Sequence, residues 1–140
     1  MQPISALIPQ EQPPPLASQP YAHIQLGAHD VSQLTAFYDQ VLGVLGWVRG
    51  VDLRLVGAAG VFWRRPGCRW PQFVVREPFD GCPATVGNGT QVSFLAESRS
   101  MVHRAWRVAL EAGGSDEGRR SDGLVLWRQR IAGGRVNFRF

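Results

Sequence analysis

The sequence predicts an α+β fold made of two copies of a β-α-β-β-β unit. The first observation is the segment from Tyr21 to Trp47, which has the pattern of a strand, a turn and an amphipathic helix. The second is the return of this pattern from Thr90 to Gly113, about 70 residues further along the chain. The third is that short β-like pieces follow each predicted helix. An internal repeat of this size constrains the architecture more than the propensity of any single segment.

The first unit opens with a predicted strand from Ala22 to Leu26. Successive side chains of a strand point to opposite faces, so Ile24 and Leu26 lie on one face and His23 and Gln25 on the other. This alternation predicts a sheet with a helix against its apolar face and a polar cleft on its other face.

The helix that follows carries its own start and stop signals. Asp30 or Ser32 is suited to cap its first turn, and Gly43 and Gly46 suit its end. Its apolar stripe recurs at helical spacing: Leu34, Phe37, Tyr38, Val41, Leu42 and Leu45. The β-like pieces after it are Trp47 to Val51, Leu53 to Val56, Gly60 to Trp63 and Gln72 to Arg76.

The second unit repeats the order. Thr90 to Leu95 is a predicted strand, and Ser98 is suited to cap a helix over Arg99 to Ala112. Gly113-Gly114 is a stop signal for that helix. The last two predicted strands and their hairpin turn follow: Leu124 to Arg128, Ala132-Gly133-Gly134, and Arg135 to Phe140.

Length and composition bound the class of protein. The Pro- and Gln-rich residues 1–20 are expected to be a disordered tail, and residues 21–140 a single domain. No signal peptide and no apolar run of about 18 residues is present, so no membrane association is expected. Two cysteines, Cys68 and Cys82, are too few for a disulfide scaffold, which predicts a reduced, cytoplasmic protein.

Charge gives little support to a nucleic-acid partner. All 15 basic residues are arginine, a bias that GC-rich coding explains better than selection for nucleic-acid binding. Four arginines and no acid lie between Gly123 and Phe140. They are spread along predicted strands rather than clustered, so a solvated sheet face is the preferred interpretation.

These residues together resemble a known family. His23 with its strand, the Asp30 turn, the helix end AFYDQVLGVLGW and the segment from Phe73 to Gly118 are similar to the vicinal oxygen chelate superfamily. That superfamily includes glyoxalase I, bleomycin-resistance proteins, fosfomycin-resistance enzymes and extradiol dioxygenases. The resemblance implies two modules that form a curved mixed sheet around a cleft, with the helices on the outer face.

The resemblance also implies where a metal would bind. Catalytic members hold a divalent metal with a His on the first strand of each module and a Glu on the final strand. His23 occupies the first position, but Gln91 occupies the second and Asn137 stands where the Glu is expected. Glu77 lies near a fourth, optional ligand position. The implied metal set, His23 with Glu77, is therefore incomplete.

Two functions remain open at this point. The preferred one is small-molecule binding without a cofactor, in a cleft whose predicted residues are His23, Gln25, Gln91, Trp127 and Asn137. The alternative is a metal-dependent lyase or dioxygenase that uses His23, Glu77 and a third ligand with a divalent metal. A homodimer is also expected, because the chain has more aromatic residues in or beside predicted strands than one core absorbs: Trp47, Phe62, Trp63, Trp70 and Trp127.

Overall fold

The β-α-β-β-β order occurs twice in the computed structural model, which confirms the predicted fold class. The structure describes residues 21–50, 59–85, 87, 89–116, 124–129 and 135–139, the last two ranges as backbone. The tail at 1–20, the piece at Leu53 to Val56 and the hairpin turn at 132–134 lie outside these ranges. The first unit contains β1 (His23–Gly27), α1 (Val31–Val44), β2 (Val48–Arg49), β3 (Gly60–Arg64) and β4 (Gln72–Arg76). The second contains β5 (Gln91–Leu95), α2 (Arg99–Glu111), β6 (Gly114–Asp116), β7 (Leu124–Gln129) and β8 (Arg135–Arg139).

The described strands form two four-stranded sheets of identical topology rather than one continuous sheet. Sheet 1 has the order β1-β4-β3-β2 and sheet 2 the order β5-β8-β7-β6. In each, the first strand of the unit pairs in parallel with the last, and the other pairs are antiparallel. This mixed pairing follows from the chain order, since the helix provides the crossover that a parallel pair requires.

Both helices begin at the predicted residues. The Asp30 side chain caps α1 by accepting a hydrogen bond from the Gln33 backbone N–H at 2.9 Å. Ser98 caps α2 in the same way, accepting from the Met101 N–H at 3.2 Å. Gly46 follows α1 with a φ of +79°, a backbone conformation that favours glycine. Neither helix is long and apolar enough to cross a membrane, within the described ranges.

One strand was missed by the sequence analysis. Gly113 does end α2, with a φ of +97°, but the chain enters β6 at the next residue. In β6, Gly114 pairs with Gln129 and Asp116 with Trp127. A Cβ atom at Gly114 would lie 2.8 Å from the carbonyl oxygen of Ala109, so the turn from helix to strand leaves no room for a side chain there. A Gly-Gly pair whose first residue ends the helix and whose second begins the strand has no local sequence pattern that predicts β-structure.

A single core joins the two units. Tyr38 is fully buried, and its ring lies 5.5 Å from the ring of Trp63 and 4.8 Å from that of Phe73. Burial raises the pKa of the Tyr38 hydroxyl, so this side chain stays neutral. Phe94 of β5 contacts Phe73 at 5.1 Å and Trp47 at 5.5 Å, and so connects the second unit to the first.

The core includes aromatic side chains that the sequence suggested for a dimer contact. Trp63 is 1% exposed, and Trp47 packs partly buried against the core. The large apolar side chains that remain exposed in the described residues are different ones: Tyr21, Val48, Phe79 and Leu95. Strand alternation explains the difference, because Trp63 lies on the face of β3 that α1 covers.

Candidate functional site

Sheet 1 has one face packed against the core and a second face that we call the helix-free face. Every second residue of β1, β3 and β4 points towards α1 and belongs to the core, as Leu26, Phe73 and Trp63 do. The helix-free face carries the residues of the other parity, which the strand register arranges in three rows. From β1 to β3 these rows are His23, Gln72, Arg64; Gln25, Val74, Phe62; and Gly27, Arg76, Gly60.

The predicted residues of β1 lie on this face. His23 and Gln25 are both exposed, while Ile24 is half-buried and Leu26 is buried. The alternation predicted for this strand is therefore confirmed. His23 stands at the start of the strand beside Gln72, so its nearest neighbour across the parallel pair is an amide.

The register of sheet 2 shows which residues correspond in the two units. Gln91 opens the β5–β8 pairing as His23 opens the β1–β4 pairing, so Gln91 is the counterpart of His23. Asn137 is aligned with Ser93, in the third position of the ladder, and its counterpart in sheet 1 is Val74. Neither of these two corresponding positions therefore carries a carboxylate.

Within the chain, the predicted cleft residues divide into two groups. His23 and Gln25 belong to sheet 1, and Gln91, Trp127 and Asn137 belong to sheet 2. Trp127 pairs with Val136 and Leu126 pairs with Asn137, so Trp127 and Asn137 hold positions of opposite parity in the ladder. Their side chains lie outside the described part, and their place in a cleft stays a prediction.

Glu77 lies at the other end of sheet 1 from His23. It follows the last residue of β4, and its backbone N–H donates to the carbonyl of Ala59 at 2.9 Å. His23 is in register with Gln72, five residues before Glu77, and five residues of strand span about 16 Å. The structure therefore does not bring His23 and Glu77 together.

Glu77 instead lines an open cavity of about 640 Å³ at the start of α1. Two carboxylates of this cavity already have structural roles. Asp30 caps α1, and Asp39 accepts a hydrogen bond from Trp63 Nε1 at 2.9 Å and pairs with Arg49 at 3.6 Å. No group of three His, Cys, Asp or Glu side chains suited to a metal ion occurs in the ranges that the structure covers.

A second cavity, of about 350 Å³, lies between the two units and is lined by residues of β1, β4 and β5. Its wall includes Ile24, Trp47 and Phe94, with Tyr21 and Arg65 also contributing. No pattern in the sequence predicts this cavity, because it forms between two units whose relative placement is not encoded locally.

Three further side chains on the helix-free face were not predicted as site residues from the sequence: Phe62, Arg64 and Arg76. The register places Arg76 on this face, since it is aligned with Gly27 and Gly60. The alternation of Gln72, Val74 and Arg76 against Phe73 and Val75 was the signal that could have placed Arg76 there.

Solved structures with this fold were found among glyoxalase-like and resistance proteins. A glyoxalase/bleomycin resistance protein from Albidiferax ferrireducens T118 is 25% identical, with 87% of this chain and 100% of that chain covered and a TM-score of 0.72. A fosfomycin resistance protein from Mesorhizobium loti is 8% identical, with coverages of 85% and 89% and a TM-score of 0.63. A glyoxylase/bleomycin resistance protein/dioxygenase domain from Frankia sp. EAN1pec is 19% identical, with coverages of 86% and 97% and a TM-score of 0.62.

Comparison of the sequence with family models and with curated proteins found no match. The likeness to the last two structures, at 8% and 19% identity, shows the fold alone. The match to the first spans the whole of that chain, so both β-α-β-β-β units are included in it.

Proposed function

The chain has the fold of the vicinal oxygen chelate superfamily, and on this premise we propose that it is a small-molecule binding protein with a degenerate metal site. The observation that carries the proposal is the composition of the helix-free face. Its described residues include one imidazole, His23, and no carboxylate. The solved structure of a glyoxalase/bleomycin resistance protein that is 25% identical to this chain supports a ligand-binding role.

The side chains do not fit a tightly held divalent metal. Such sites in proteins combine imidazole, carboxylate or thiolate groups, which supply charge and strong donor atoms. Here the position that corresponds to His23 is Gln91, and the residue at the expected Glu position is Asn137. One imidazole and two amides carry no negative charge, even where a second copy of the chain brings its β5 opposite β1.

The helix-free face fits an organic ligand better. The aromatic ring of Phe62 and the side chain of Val74 form its middle row with Gln25. His23, Gln72 and Arg64 form the row at one end. An apolar middle with polar groups around it is the usual composition of a small-molecule site, in which shape and hydrogen bonds select the ligand.

The enzyme alternative requires a coordination set that the described residues do not provide. A metal-dependent lyase or dioxygenase that uses His23 and Glu77 would need both in contact with one ion, at about 2.0–2.2 Å from it. The register separates the two residues by about 16 Å, and Glu77 lines a different cavity.

We predict that the purified protein carries no stoichiometric metal. Elemental analysis and titration with Zn²⁺, Ni²⁺ and Mn²⁺ followed by calorimetry check this. The degenerate donor set is expected to give substoichiometric metal and no saturable binding. About one tightly bound ion per chain that is lost in His23→Ala, but kept in the control His103→Ala on the exposed side of α2, would restore the enzyme alternative.

We also propose a homodimer in a reducing, cytoplasmic environment. Both cysteines are free thiols. Leu95 is 71% and Tyr21 50% exposed, and both line the cavity of about 350 Å³ between the two units. Open strand edges beside exposed apolar side chains favour association with a second copy, because a twofold contact covers the same patch on both.

Light scattering at micromolar concentration should therefore report about twice the 15.5 kDa chain mass. Leu95→Arg places a charge in the proposed contact and should shift the protein to monomer. Gln40→Arg adds the same charge on the exposed side of α1 and should leave the mass unchanged. A monomeric parent chain at all concentrations, or an unchanged dimer in Leu95→Arg, would contradict this interface.

A further inference from the structure

The charged side chains described on the helix-free face of sheet 1 are both arginines. Arg64 and Arg76 lie at its two ends, and none of its described residues is an Asp or Glu. The nearest acidic residue in the sequence, Glu77, has the opposite parity and lines the cavity at the start of α1. Because Asp30, Asp39 and Glu77 line that cavity and the face itself carries Arg64 and Arg76, the field over the helix-free face attracts anions.

The two arginines differ in how well their hydrogen-bonding groups are satisfied. Arg64 Nη1 donates to the carbonyl of Cys68, at 3.4 Å. Arg76 has a buried Nε that has no hydrogen-bond partner. The ion pair found within the described ranges joins Arg49 to Asp39 and does not involve Arg76. A buried, unpaired guanidinium N–H is unfavourable until a partner supplies an acceptor.

The surroundings of Arg76 hold its side chain in a fixed place. The residues beside it on β1 and β3 are Gly27 and Gly60. A Cβ atom at Gly60 would lie 2.6 Å from the Cβ of Arg76. Only a glycine at position 60 therefore leaves room for the Arg76 side chain. Phe79, which is 78% exposed, covers one face of the guanidinium with its ring centroid 4.1 Å from the Cζ atom.

This stacking leaves the edge of the guanidinium for a ligand. A cation–π contact uses the flat face of the group, whereas its N–H donors point outward in the plane. The planar fork of donors matches the two oxygens of a carboxylate. The middle row, with Phe62 and Val74, lies two residues along the strands from Arg76, a distance of about 7 Å.

From these observations we infer that Arg76 binds the carboxylate of a small organic anion whose aromatic or aliphatic body lies over the half-buried ring of Phe62. This inference rests on the proposed function and adds a ligand class to it. Arg64 contributes to the field at the opposite end of the face. Phe79 holds the guanidinium in place without competing for its in-plane donors.

The test compares three probes of one shape and different charge: benzoate, benzamide and benzylamine. Binding is followed by amide chemical shifts in nuclear magnetic resonance titrations of the ¹⁵N-labelled full chain. We expect benzoate to bind at least about tenfold more tightly than benzamide, since charge-assisted hydrogen bonds are worth more than neutral ones. Benzylamine should bind more weakly than either, and its shifts should not map to β4.

Variants then assign the selectivity to a residue. Arg76→Gln should remove the preference for benzoate over benzamide, and Arg76→Lys should retain part of it. Arg107→Gln removes the same charge from an exposed position on α2 and should change nothing. Dispersed amide spectra verify that each variant is folded, and the selectivity of the parent chain is informative without any variant.

The outcomes separate the two proposals. Absence of binding by all three probes and by a wider set of small molecules would overturn the proposed function and this inference with it. Benzamide binding as tightly as benzoate, or benzoate binding unchanged in Arg76→Gln, would overturn the inference alone. In that case a ligand site would remain, and Arg76 with Phe79 would be a purely structural pair.

Discussion

Trp63→Ala should lower the free energy of unfolding by about 3–5 kcal/mol, the range for truncating a large aromatic residue in a core. Trp63 is 1% exposed, and its ring lies 5.5 Å from that of Tyr38 and 6.0 Å from that of Phe73. Its Nε1–H also donates to Asp39 Oδ1 at 2.9 Å, so the substitution leaves a cavity and removes a hydrogen bond. Domains of this size are stable by only about 5–15 kcal/mol, so the loss is a large share of the total.

Urea denaturation followed by circular dichroism measures this effect. Trp63→Phe is the intermediate variant, because it keeps most of the ring contacts and removes the hydrogen bond to Asp39. Phe79→Ala is the control for loss of an exposed aromatic ring and should cost about 1 kcal/mol or less. A Trp63→Ala variant as stable as Phe79→Ala would show that α1 does not pack on sheet 1 as described.

Phe94→Ala should destabilise the protein by a similar amount, about 3–5 kcal/mol. Phe94 is 5% exposed and belongs to β5, and its ring contacts two rings of the first unit, Phe73 at 5.1 Å and Trp47 at 5.5 Å. Its removal should therefore weaken the connection between the units as well as the core.

Hydrogen exchange distinguishes these two effects. In Phe94→Ala, amides of α2 and β5 should lose more protection than amides of β1 and β4, because the first unit keeps its own aromatic cluster around Tyr38. Val48→Ala, which truncates a 44%-exposed side chain on the edge strand β2, should cost about 1 kcal/mol or less. Uniform loss of protection throughout the chain would instead mean that the two units unfold as one cooperative body.

The sequence by itself determined the features that depend on near neighbours. Asp30 and Ser98 cap helices because a cap needs only a short polar side chain three residues before the N–H that it accepts from. His23 and Gln25 share a face because strand side chains alternate. The repeated unit was recognisable because the same local signals recur in the same order in both halves.

The tertiary structure decided the features that depend on distant pairing. Register places Arg76 between Gly27 and Gly60 on the helix-free face, and Glu77 at the far end from His23. It also makes β6 a strand through pairing with β7, although Gly114 has no β propensity. Register and the contact between units arise from backbone hydrogen bonds and packing between residues far apart in the chain, which local composition does not encode. The sequence named the imidazole of the candidate site, and the pairing of β1 with β4 put an arginine on the same face.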